Sequence, residues 1–417
     1  MASPQLSGRA RKLALRRVFH IPAAIAGISL VCAFIICGRC PAAPGRTVRV
    51  GLLSSRILRS IEVTSPGGTL LSSGTGKARP MGTRTWRFEA AGDTVKAREG
   101  GGPGAMVMPG FTIRGKGPSA VVRVGIGRSD ARRYRGSIAV RAGDGRLVVV
   151  NWVPLEDYLR SVVPLEMPPS APEAALRAQA VAARSFAIAA QGRHGGKPYD
   201  FCDLPHCQLY LGARSESPNT DAAISATEGQ VLTEGGKPIE AVFHSCCGGA
   251  TSAIQDVWGG GTPVPYLVSR SDLGPHGAYC RRAPYFRWQF TVSAASLLRA
   301  LRTSKATDPG TRLHSIQVLK RDDAGRATEV EIVGDKRVTV TGSALRTLLS
   351  RTLGSDKMKS ARFAVGRRSD QYVFEGTGHG HGVGMCHWGA MGRAEAGETS
   401  QEILGHYYSG TVLGSIP

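Results

Sequence analysis

With 417 residues, 42% of them hydrophobic and 20% charged, the chain has the composition of a globular protein and not of a disordered one. That length allows one large domain or two ordinary ones, with enough residues for a sizeable core. The net charge of +22 favours an anionic environment, but the aromatic fraction of 6% and the scattered basic residues argue against nucleic-acid binding.

The N-terminal residues 1–45 predict a cytoplasmic basic segment followed by an export signal. Basic residues at positions 9, 11, 12, 16 and 17 precede an uncharged apolar run over residues 21–37, which is the order found in a signal peptide or signal anchor. The run is short for a membrane span, which needs about 20 residues, so a cleaved signal and an anchor are both open. We expect the N-terminus to stay inside, with the rest exported or held at the cell membrane by a single span.

Residues 46–148 predict a β-rich N-terminal portion. Apolar and polar residues alternate there in short runs bounded by Gly, Pro, Ser and Asp, as in half-buried strands. These runs are residues 48–53, 84–90, 120–127 and 137–142, with a further run at 146–153. The glycine-rich residues 98–110 predict a loop.

Residues 149–417 predict a portion in which helices and strands are mixed, so the expected fold class is α+β. Ser170 and Glu173 fit a capping box with Pro172 in the first turn, ahead of an alanine-rich helix over residues 174–191. So many alanines imply that other backbone packs closely against this helix. Further predicted elements are a strand and helix over 287–302, a hairpin over 313–333, and a strand and helix over 336–350 with Ser343 as the cap.

Glu166 is the one charged residue in an otherwise uncharged stretch just before this helix. Since Glu173 accounts for the cap, Glu166 is either a solvated loop charge or a catalytic acid. Its apolar neighbours would raise the pKa of the carboxyl by desolvation, which is what a general acid needs. The adjoining prolines predict a stiff loop that would hold it in place.

His194, Cys202, His206 and Cys207 lie close together in sequence. Two thiols and two imidazoles match the ligand set of a four-coordinate structural zinc site. The alternative is a Cys202–Cys207 disulfide with two ordinary surface histidines, which suits an exported chain.

Two further sets carry candidate chemistry. Cys246, Cys247 and Cys280 favour one disulfide, with Cys247–Cys280 as the first choice, over a cysteine nucleophile beside His244. The glycine-rich residues 376–389 carry three histidines, which are either metal ligands or structural hydrogen-bonding residues.

An ordered series of motifs resembles the family of stage II sporulation protein D, which also contains the amidase enhancers. The series runs through "VVPLEMPPSAPEAALRAQAVAARSFA", "FCDLPHCQLYLG", "VFHSCCGGATS", "GHGHGVGMCHWGAMGRAEAG" and "ILGHYYSGT". It covers the chain from about Val149 to the C-terminus. The resemblance implies a single large domain of the sporulation protein D type over residues 149–417.

The resemblance also implies a site and an activity. Glu166 aligns with the catalytic glutamate of lytic transglycosylases, which cut peptidoglycan glycan strands and leave a 1,6-anhydro-MurNAc end. Gln179 and Arg184 on the helix, and His379 and His381 in the glycine-rich segment, are the implied substrate-binding residues. Some relatives bind zinc where this chain has the Cys/His set, so one structural zinc ion is favoured over the disulfide.

Two other functions remain as alternatives. A non-catalytic enhancer that binds and activates a cell-wall amidase would use the same fold, whereas retention of Glu166 favours the enzyme. A secreted metal-binding structural protein would explain the Cys/His set, but not the ordered motifs around Glu166 and the glycine-rich histidines. The family name implies sporulation, but a shared fold does not fix a biological process.

Overall fold

The computed structural model describes residues 46–416, apart from residues 74, 101, 103, 118, 128–129, 260–261 and 356. The predicted signal or anchor segment, residues 1–45, lies outside these described residues. Within them, no helix combines the length and apolar character required to cross a membrane.

The N-terminal portion is made of strands, as predicted. In chain order they are β1 (Thr47–Gly51), β2 (Ser60–Thr64), β3 (Thr69–Ser72), β4 (Ala78–Pro80), β5 (Trp86–Ala91), β6 (Thr94–Glu99), β7 (Ala105–Met108), β8 (Gly110–Arg114), β9 (Val122–Gly125), β10 (Arg132–Tyr134), β11 (Ser137–Gly143) and β12 (Arg146–Pro154). The predicted loop over residues 98–110 is only partly a loop, because β7 pairs antiparallel with β6.

Two sheets enclose the N-terminal core. One has the order β4-β3-β8-β11-β12-β1, and the other has the order β10-β9-β2-β5-β6-β7. Alternate residues of β2 and β6 are buried, so one face of the second sheet packs inward. Phe88 of β5 contacts Phe111 of β8 edge to face, with ring centroids 5.6 Å apart, which joins the two sheets.

β12 leads directly into the helical portion of the chain. The elements that follow are α1 (Leu155–Glu166), α2 (Glu173–Ala189), β13 (Phe201–Cys202), a 3-10 helix (Gly212–Arg214), α3 (Pro218–Ala226), β14 (Gln230–Glu234), β15 (Lys237–Pro238), β16 (Phe243–His244), β17 (Ala250–Thr251), α4 (Ile254–Trp258), β18 (Arg270–Ser271), β19 (Leu273–Gly274), β20 (Gly277–Ala278) and a second 3-10 helix (Tyr279–Arg282). Because β12 starts before Val149 and β13 pairs with β1, the β-rich and helical portions share one core.

The alanine-rich helix is confirmed as α2, but its predicted capping box is wrong. Pro172 precedes the helix and makes no side-chain cap, and Glu173 is the first helical residue instead of the third. Glu173 forms an ion pair with Arg177 one turn along, at 2.5 Å. Ala178, Ala180 and Ala182 are fully buried, and their small side chains let neighbouring elements approach the helix backbone closely.

The next segment has its own hydrophobic core. Its elements are β21 (Arg287–Ser293), α5 (Ala294–Leu301), β22 (Leu313–Arg321), β23 (Ala327–Gly334), β24 (Arg337–Val340), α6 (Gly342–Leu353), β25 (Phe363–Arg368) and β26 (Gln371–Thr377). The predicted hairpin is β22–β23. The cap of α6 is Thr341, whose hydroxyl accepts the Ala344 N–H, so the prediction of Ser343 was two residues late.

The last elements return to the helical portion. They are β27 (Met385–Cys386), α7 (His387–Glu395), α8 (Ser400–Tyr407) and β28 (Val412–Ser415). β27 pairs parallel with β16, and β28 pairs antiparallel with β14. The described part of the chain is therefore a mixture of sheets and helices, and the predicted α+β class is confirmed at that level.

Candidate functional site

Glu166 lies at the end of a helix, and the prediction of a loop there was wrong. It is the last residue of α1, which contains Pro164 and ends where Met167 becomes extended (φ −132°, ψ 133°). Pro168 follows, and a proline disfavours helical backbone in the residue before it. The change of direction at Met167 thus fixes the position at which the Glu166 side chain leaves the helix.

The surroundings of Glu166 shift the equilibrium of its carboxyl toward the protonated form. The residue keeps some solvent exposure, but burial raises the pKa of the carboxyl to about 7, while a hydrogen bond from the Leu209 backbone opposes this rise. Desolvation disfavours the charged form of an acid, as the apolar neighbours in the sequence predicted. The carboxyl can therefore donate a proton near neutral pH and hold it again afterwards.

The segment that carries Leu209 is fixed to both helices. The Tyr158 hydroxyl donates to Oε1 of Gln208 at 3.0 Å, and Nε2 of Gln208 donates to the Ala183 carbonyl at 3.3 Å. Tyr158 on α1 is fully buried and stacks on Tyr210, with ring centroids 5.2 Å apart. These contacts set the position of the Leu209 N–H relative to the end of α1.

The four predicted metal ligands, His194, Cys202, His206 and Cys207, lie together. Sγ of Cys207 is 3.2 Å from Nε2 of His194, 3.4 Å from Nδ1 of His206 and 3.5 Å from Sγ of Cys202. Sγ of Cys202 is 3.7 Å from Nδ1 of His206. Cys202 and Cys207 are free thiols in the structure.

The donor set fits a zinc ion. Four ligands placed tetrahedrally at ordinary Zn–S and Zn–N distances are about 3.3–3.8 Å from one another, close to the spacing of these atoms. The loop is fixed on its other side by Asp203, which accepts hydrogen bonds from the Leu53 and Ser54 backbone at 2.9 and 3.1 Å. Asp203 was not predicted, because its partners lie about 150 residues earlier in the chain.

The structure places Arg184 in a structural ion pair instead of an open cleft. Its side chain is fully buried and forms two hydrogen bonds to Glu156, at 2.7 and 2.8 Å. It also donates to the backbone carbonyls of Gln230 and Ile224. With these contacts in place, its guanidinium connects α1, α3 and β14 to α2, and its predicted role in binding substrate stays a prediction.

Gln179 is different. Within the part of the chain that the structure describes, neither the oxygen nor the nitrogen of its side-chain amide has a hydrogen-bond partner, although the residue is fully buried. A buried amide without partners is costly. Gln179 lies on α2, between Ala178 and Ala180. Its predicted role in binding substrate stays a prediction.

The glycine-rich segment places its histidines against backbone and aromatic rings. Nε2 of His381 donates to the Phe243 carbonyl at 2.7 Å, while its Nδ1 accepts the Val383 N–H at 3.2 Å. Burial lowers the pKa of His381 to about 4, and that of His379 also to about 4. Both imidazoles are neutral near pH 7, and His381 uses both ring nitrogens internally.

His379 packs edge-on against Tyr285, with ring centroids 5.3 Å apart. His381 lies 5.1 Å from the ring of the half-exposed Trp258. His244, which the sequence offered only as a partner for a cysteine nucleophile, donates from Nδ1 to the Val383 carbonyl. Its buried Nε2 has no hydrogen-bond partner among the described residues, and burial lowers the pKa of this imidazole well below its usual value.

A cavity of about 700 Å³ lies where the helical portion meets the turn between β22 and β23. Its lining includes Gly248, Leu273, Asp322 and Arg362, and does not include Glu166. Because the protonation state and supporting contacts of Glu166 are specific, we assign the candidate site to Glu166 and its surroundings and not to this cavity.

Comparisons with known families match two separate parts of the chain. The family described as Stage II sporulation protein matches residues 143–233, which include Glu166, Gln179, Arg184 and the Cys/His set. A domain of unknown function matches residues 273–384, which include His379 and His381.

Three curated proteins are similar over about two thirds of this chain. An uncharacterised protein of Brachyspira hyodysenteriae is 32% identical over 66% of this chain and 71% of its own length. The amidase enhancer of Bacillus subtilis is 30% identical over 62% of this chain, but only 40% of its own length is covered. Stage II sporulation protein D of Bacillus subtilis is 28% identical over 63% of this chain and 75% of its own length.

Proposed function

Because the chain belongs to the family of stage II sporulation protein D and the amidase enhancer, we propose that it is a lytic transglycosylase acting on peptidoglycan glycan strands. One observation carries the proposal. Glu166 is placed at a helix end where burial raises the pKa of its carboxyl to about 7, as a group that must first donate and then accept a proton requires.

The proposed reaction needs a single carboxyl group. The Glu166 acid donates its proton to the glycosidic oxygen as the bond from that oxygen to C1 of MurNAc breaks. The resulting carboxylate then takes the proton of the C6 hydroxyl as the C6 oxygen bonds to C1. The product is a 1,6-anhydro-MurNAc end, and no water is consumed. Hydrolytic glycosidases differ, since they use a pair of carboxyl groups.

The Cys/His set (His194, Cys202, His206 and Cys207) lies just before Leu209 in the chain and would help to hold the Glu166 site in place. A zinc ion held by His194, Cys202, His206 and Cys207 would act structurally, by cross-linking the loop that leads to Leu209. The chain's own contacts from Tyr158 and from the Leu209 backbone then orient the end of α1 and the Glu166 carboxyl.

The substrate-binding proposal rests on fewer residues than the sequence implied. Gln179 offers an amide without hydrogen-bond partners among the described residues, and the half-buried His379 packs against Tyr285, so both are proposed to contact the glycan. Arg184 and His381 are engaged within the protein, and their proposed role is to hold the surrounding elements in place.

The location is part of the proposal. Residues 1–45 combine a basic segment with an apolar run, which supports export or a single-span anchor with the N-terminus inside. A net charge of +22 would attract the protein to an anionic cell wall or membrane surface.

The alternative function is that of an enhancer that binds and activates a cell-wall amidase. The similarity to the amidase enhancer of Bacillus subtilis favours it. The two functions make different use of Glu166, because only the enzyme needs a proton donor at that position.

The test is release of anhydro-MurNAc products from glycan strands that lack stem peptides, measured by mass spectrometry. Glu166→Gln keeps the shape of the side chain but carries no exchangeable acid proton, so we expect the rate to fall by about 10²–10⁴-fold or more. The matched control is Glu173→Gln, which removes only an exposed ion pair with Arg177 and should leave the rate nearly unchanged.

Two results would contradict the proposal. Equal rates for the parent and the Glu166→Gln protein would remove Glu166 from the chemistry. A parent protein that releases no anhydro product, but increases the activity of an added cell-wall amidase, would establish the enhancer function instead.

A further inference from the structure

A second cluster of possible metal ligands lies apart from the Cys/His set, in the helical portion. Cys247, Asp272, Cys280 and Cys386 each offer one ligand atom, and these atoms all lie within 4.8 Å of one another. All four residues are fully buried. They come from four separate places: the turn after β16, the link between β18 and β19, the second 3-10 helix, and the end of β27.

The carboxylate of Asp272 is oriented from outside the cluster. Its Oδ1 accepts hydrogen bonds from Nε of Arg393 at 3.0 Å and from the Tyr407 hydroxyl at 2.9 Å. Its Oδ2 points to Sγ of Cys247, at 3.2 Å. Metal-binding carboxylates are commonly held in this way, with the second oxygen fixed by neighbouring groups.

Backbone N–H groups point at the sulfur atoms. Sγ of Cys386 accepts from the N–H groups of Cys247 at 3.1 Å and Gly389 at 3.2 Å, and Sγ of Cys247 accepts from the Gly249 N–H at 3.3 Å. Cys386 is also the N-cap of α7, where the helix dipole favours negative charge. Such donors stabilise thiolates, the form in which cysteine binds a metal.

Gly389 shows how closely the cluster is packed. A Cβ atom at this position would collide with Oδ2 of Asp272 and with the Tyr407 hydroxyl. The N–H of Gly389 can therefore reach Sγ of Cys386 only because the residue has no side chain. Positive charge is also close by, since the buried Arg326 donates to the Cys247 carbonyl at 2.7 Å.

The disulfide predicted from the sequence is not formed in the structure. Cys247 and Cys280 are free thiols with their Sγ atoms 3.5 Å apart. A disulfide between them would use only two of the four groups. It would leave the Asp272 carboxylate and the Cys386 thiol buried beside it. Arg393 would still donate to Asp272, and two backbone N–H groups would still donate to Sγ of Cys386.

We propose that Cys247, Asp272, Cys280 and Cys386 bind a structural zinc ion. Three thiolates and one carboxylate complete a tetrahedral shell, which is closed and leaves no position for substrate. Thiolate ligands favour zinc over calcium, magnesium and manganese, which prefer oxygen ligands. This inference does not depend on the proposed glycan-cleaving activity.

The ion would fasten the glycine-rich segment to the helical portion. Cys246 and His379 exchange two backbone hydrogen bonds, at 2.8 and 2.9 Å, and Cys386 is in register with His244. The ligand Cys247 adjoins the first contact, and the ligand Cys386 takes part in the second. A metal that binds both would therefore fix the backbone carrying His379 and His381 at both ends.

The experiment measures zinc in the purified full-length chain, together with the state of its cysteines. We expect about two zinc ions per chain, one in each ligand set. Cys386→Ser and Cys207→Ser should each remove about one ion, and the double variant should carry none. The matched control is Cys246→Ser, which changes a buried neighbouring thiol outside the ligand set and should keep both ions.

Alkylation of the denatured parent protein without reductant decides the case even if a variant fails to fold. Zinc together with three alkylated peptides, carrying Cys247, Cys280 and Cys386, supports the site. A Cys247–Cys280 disulfide would overturn it, and so would a Cys386→Ser protein that retains as much zinc as the parent. Loss of zinc in Cys207→Ser alone, with Cys386→Ser unaffected, would assign all bound metal to the Cys/His set.

Discussion

Glu166 is subject to two opposing influences on its carboxyl. Burial favours the protonated form, whereas the hydrogen bond from the Leu209 backbone favours the charged form, and burial is the larger effect. A group with this balance is neutral in the folded protein at a pH where a free glutamate is charged. The consequence is measurable in stability as well as in activity.

We predict that the stability gained from Glu166→Gln grows with pH. The folded-state pKa is raised from 4.5 to about 7, so the folded protein binds this proton more tightly than the unfolded chain does. The stabilisation is fully present below about pH 4.5 and is lost as the pH rises through about 7, where the buried carboxyl must become charged. Glutamine resembles the neutral acid at every pH, so the melting temperature of the variant relative to the parent should rise between about pH 5 and pH 8.

The exposed Glu173 provides the comparison. Glu173→Gln should shift the melting temperature by a similar small amount at both pH values, because this side chain is mostly in solvent. If the curves for Glu166→Gln and the parent run parallel from pH 5 to pH 8, then Glu166 is charged throughout and its pKa is not raised.

For single residues, the sequence predicted a property when the groups that cause it are neighbours in the chain. The apolar neighbours of Glu166 are adjacent in the chain, so a raised pKa could be predicted from them. The opposing N–H of Leu209 comes from a loop 43 residues later, and the pairing of Arg184 with Glu156 depends on how α1 and α2 pack. Neither contact leaves a local pattern in the sequence.

The helices around the site are held together by Arg184. Its guanidinium bonds to Glu156 on α1, to the Ile224 carbonyl on α3 and to the Gln230 carbonyl on β14, while its own backbone belongs to α2. A buried charge with all its partners in place is costly to disrupt from one side. This residue therefore matters for the packing of four elements at once.

We predict that Arg184→Met lowers the free energy of unfolding by about 3–5 kcal/mol, because it leaves Glu156 and two carbonyls without their partner. The matched control is Arg177→Met on the same helix, which loses only the exposed ion pair with Glu173 and should change stability by less than about 1 kcal/mol. Urea titration followed by circular dichroism measures both. Equal, small losses for the two variants would show that Arg184 is not a structural centre.

Element types were easier to predict than element ends. The alanine pattern of α2 and the alternation in β22 and β23 extend over many residues. Such long patterns predict the element type whatever tertiary contacts the element makes. The cap residues depend on one side chain, and the chain offered competing candidates: Ser170 or Pro172 for α2, and Thr341 or Ser343 for α6. Pro172 directly precedes α2, and the helix begins without a side-chain cap. The S-x-x-E pattern could not show this.

At the scale of the whole molecule, the helical portion is built onto the N-terminal sheets. β1 lies between β12 and β13, and the Leu155 N–H at the start of α1 donates to the Arg46 carbonyl. The predicted boundary between residues 148 and 149 falls inside β12. Sequence composition changes there because helices begin, but the hydrophobic core continues across it.

We predict that residues 42–417 alone form a soluble folded protein, whereas the full-length chain is membrane-associated or exported. The apolar run at residues 21–37 carries this prediction. Ile28→Arg in that run should leave the full-length chain in the cytoplasmic fraction. The control is Ile57→Arg, at a position already 70% exposed, which should not change the distribution between fractions.

Cell fractionation with detection of the chain in each fraction is the measurement. Full-length parent protein found only in the soluble cytoplasmic fraction would contradict the prediction. Aggregation of residues 42–417, with the full-length chain folded, would show that the N-terminal segment contributes to the fold as well as to localisation.

The pairing of β28 with β14 has a consequence for the order in which the protein matures. β14 adjoins α2 through the Leu232 N–H, which donates to the Ser185 hydroxyl at 2.8 Å. It pairs with the nearby β15 on one edge and with β28, about 180 residues further along the chain, on the other. A chain synthesised or exported from its N-terminus presents Glu166 long before β28 exists to complete that sheet. Contacts so distant in sequence form late. The sheet beside α2 is therefore complete only when almost the entire chain has been made, so we expect the surroundings of α2, and with them the proposed site, to be completed late.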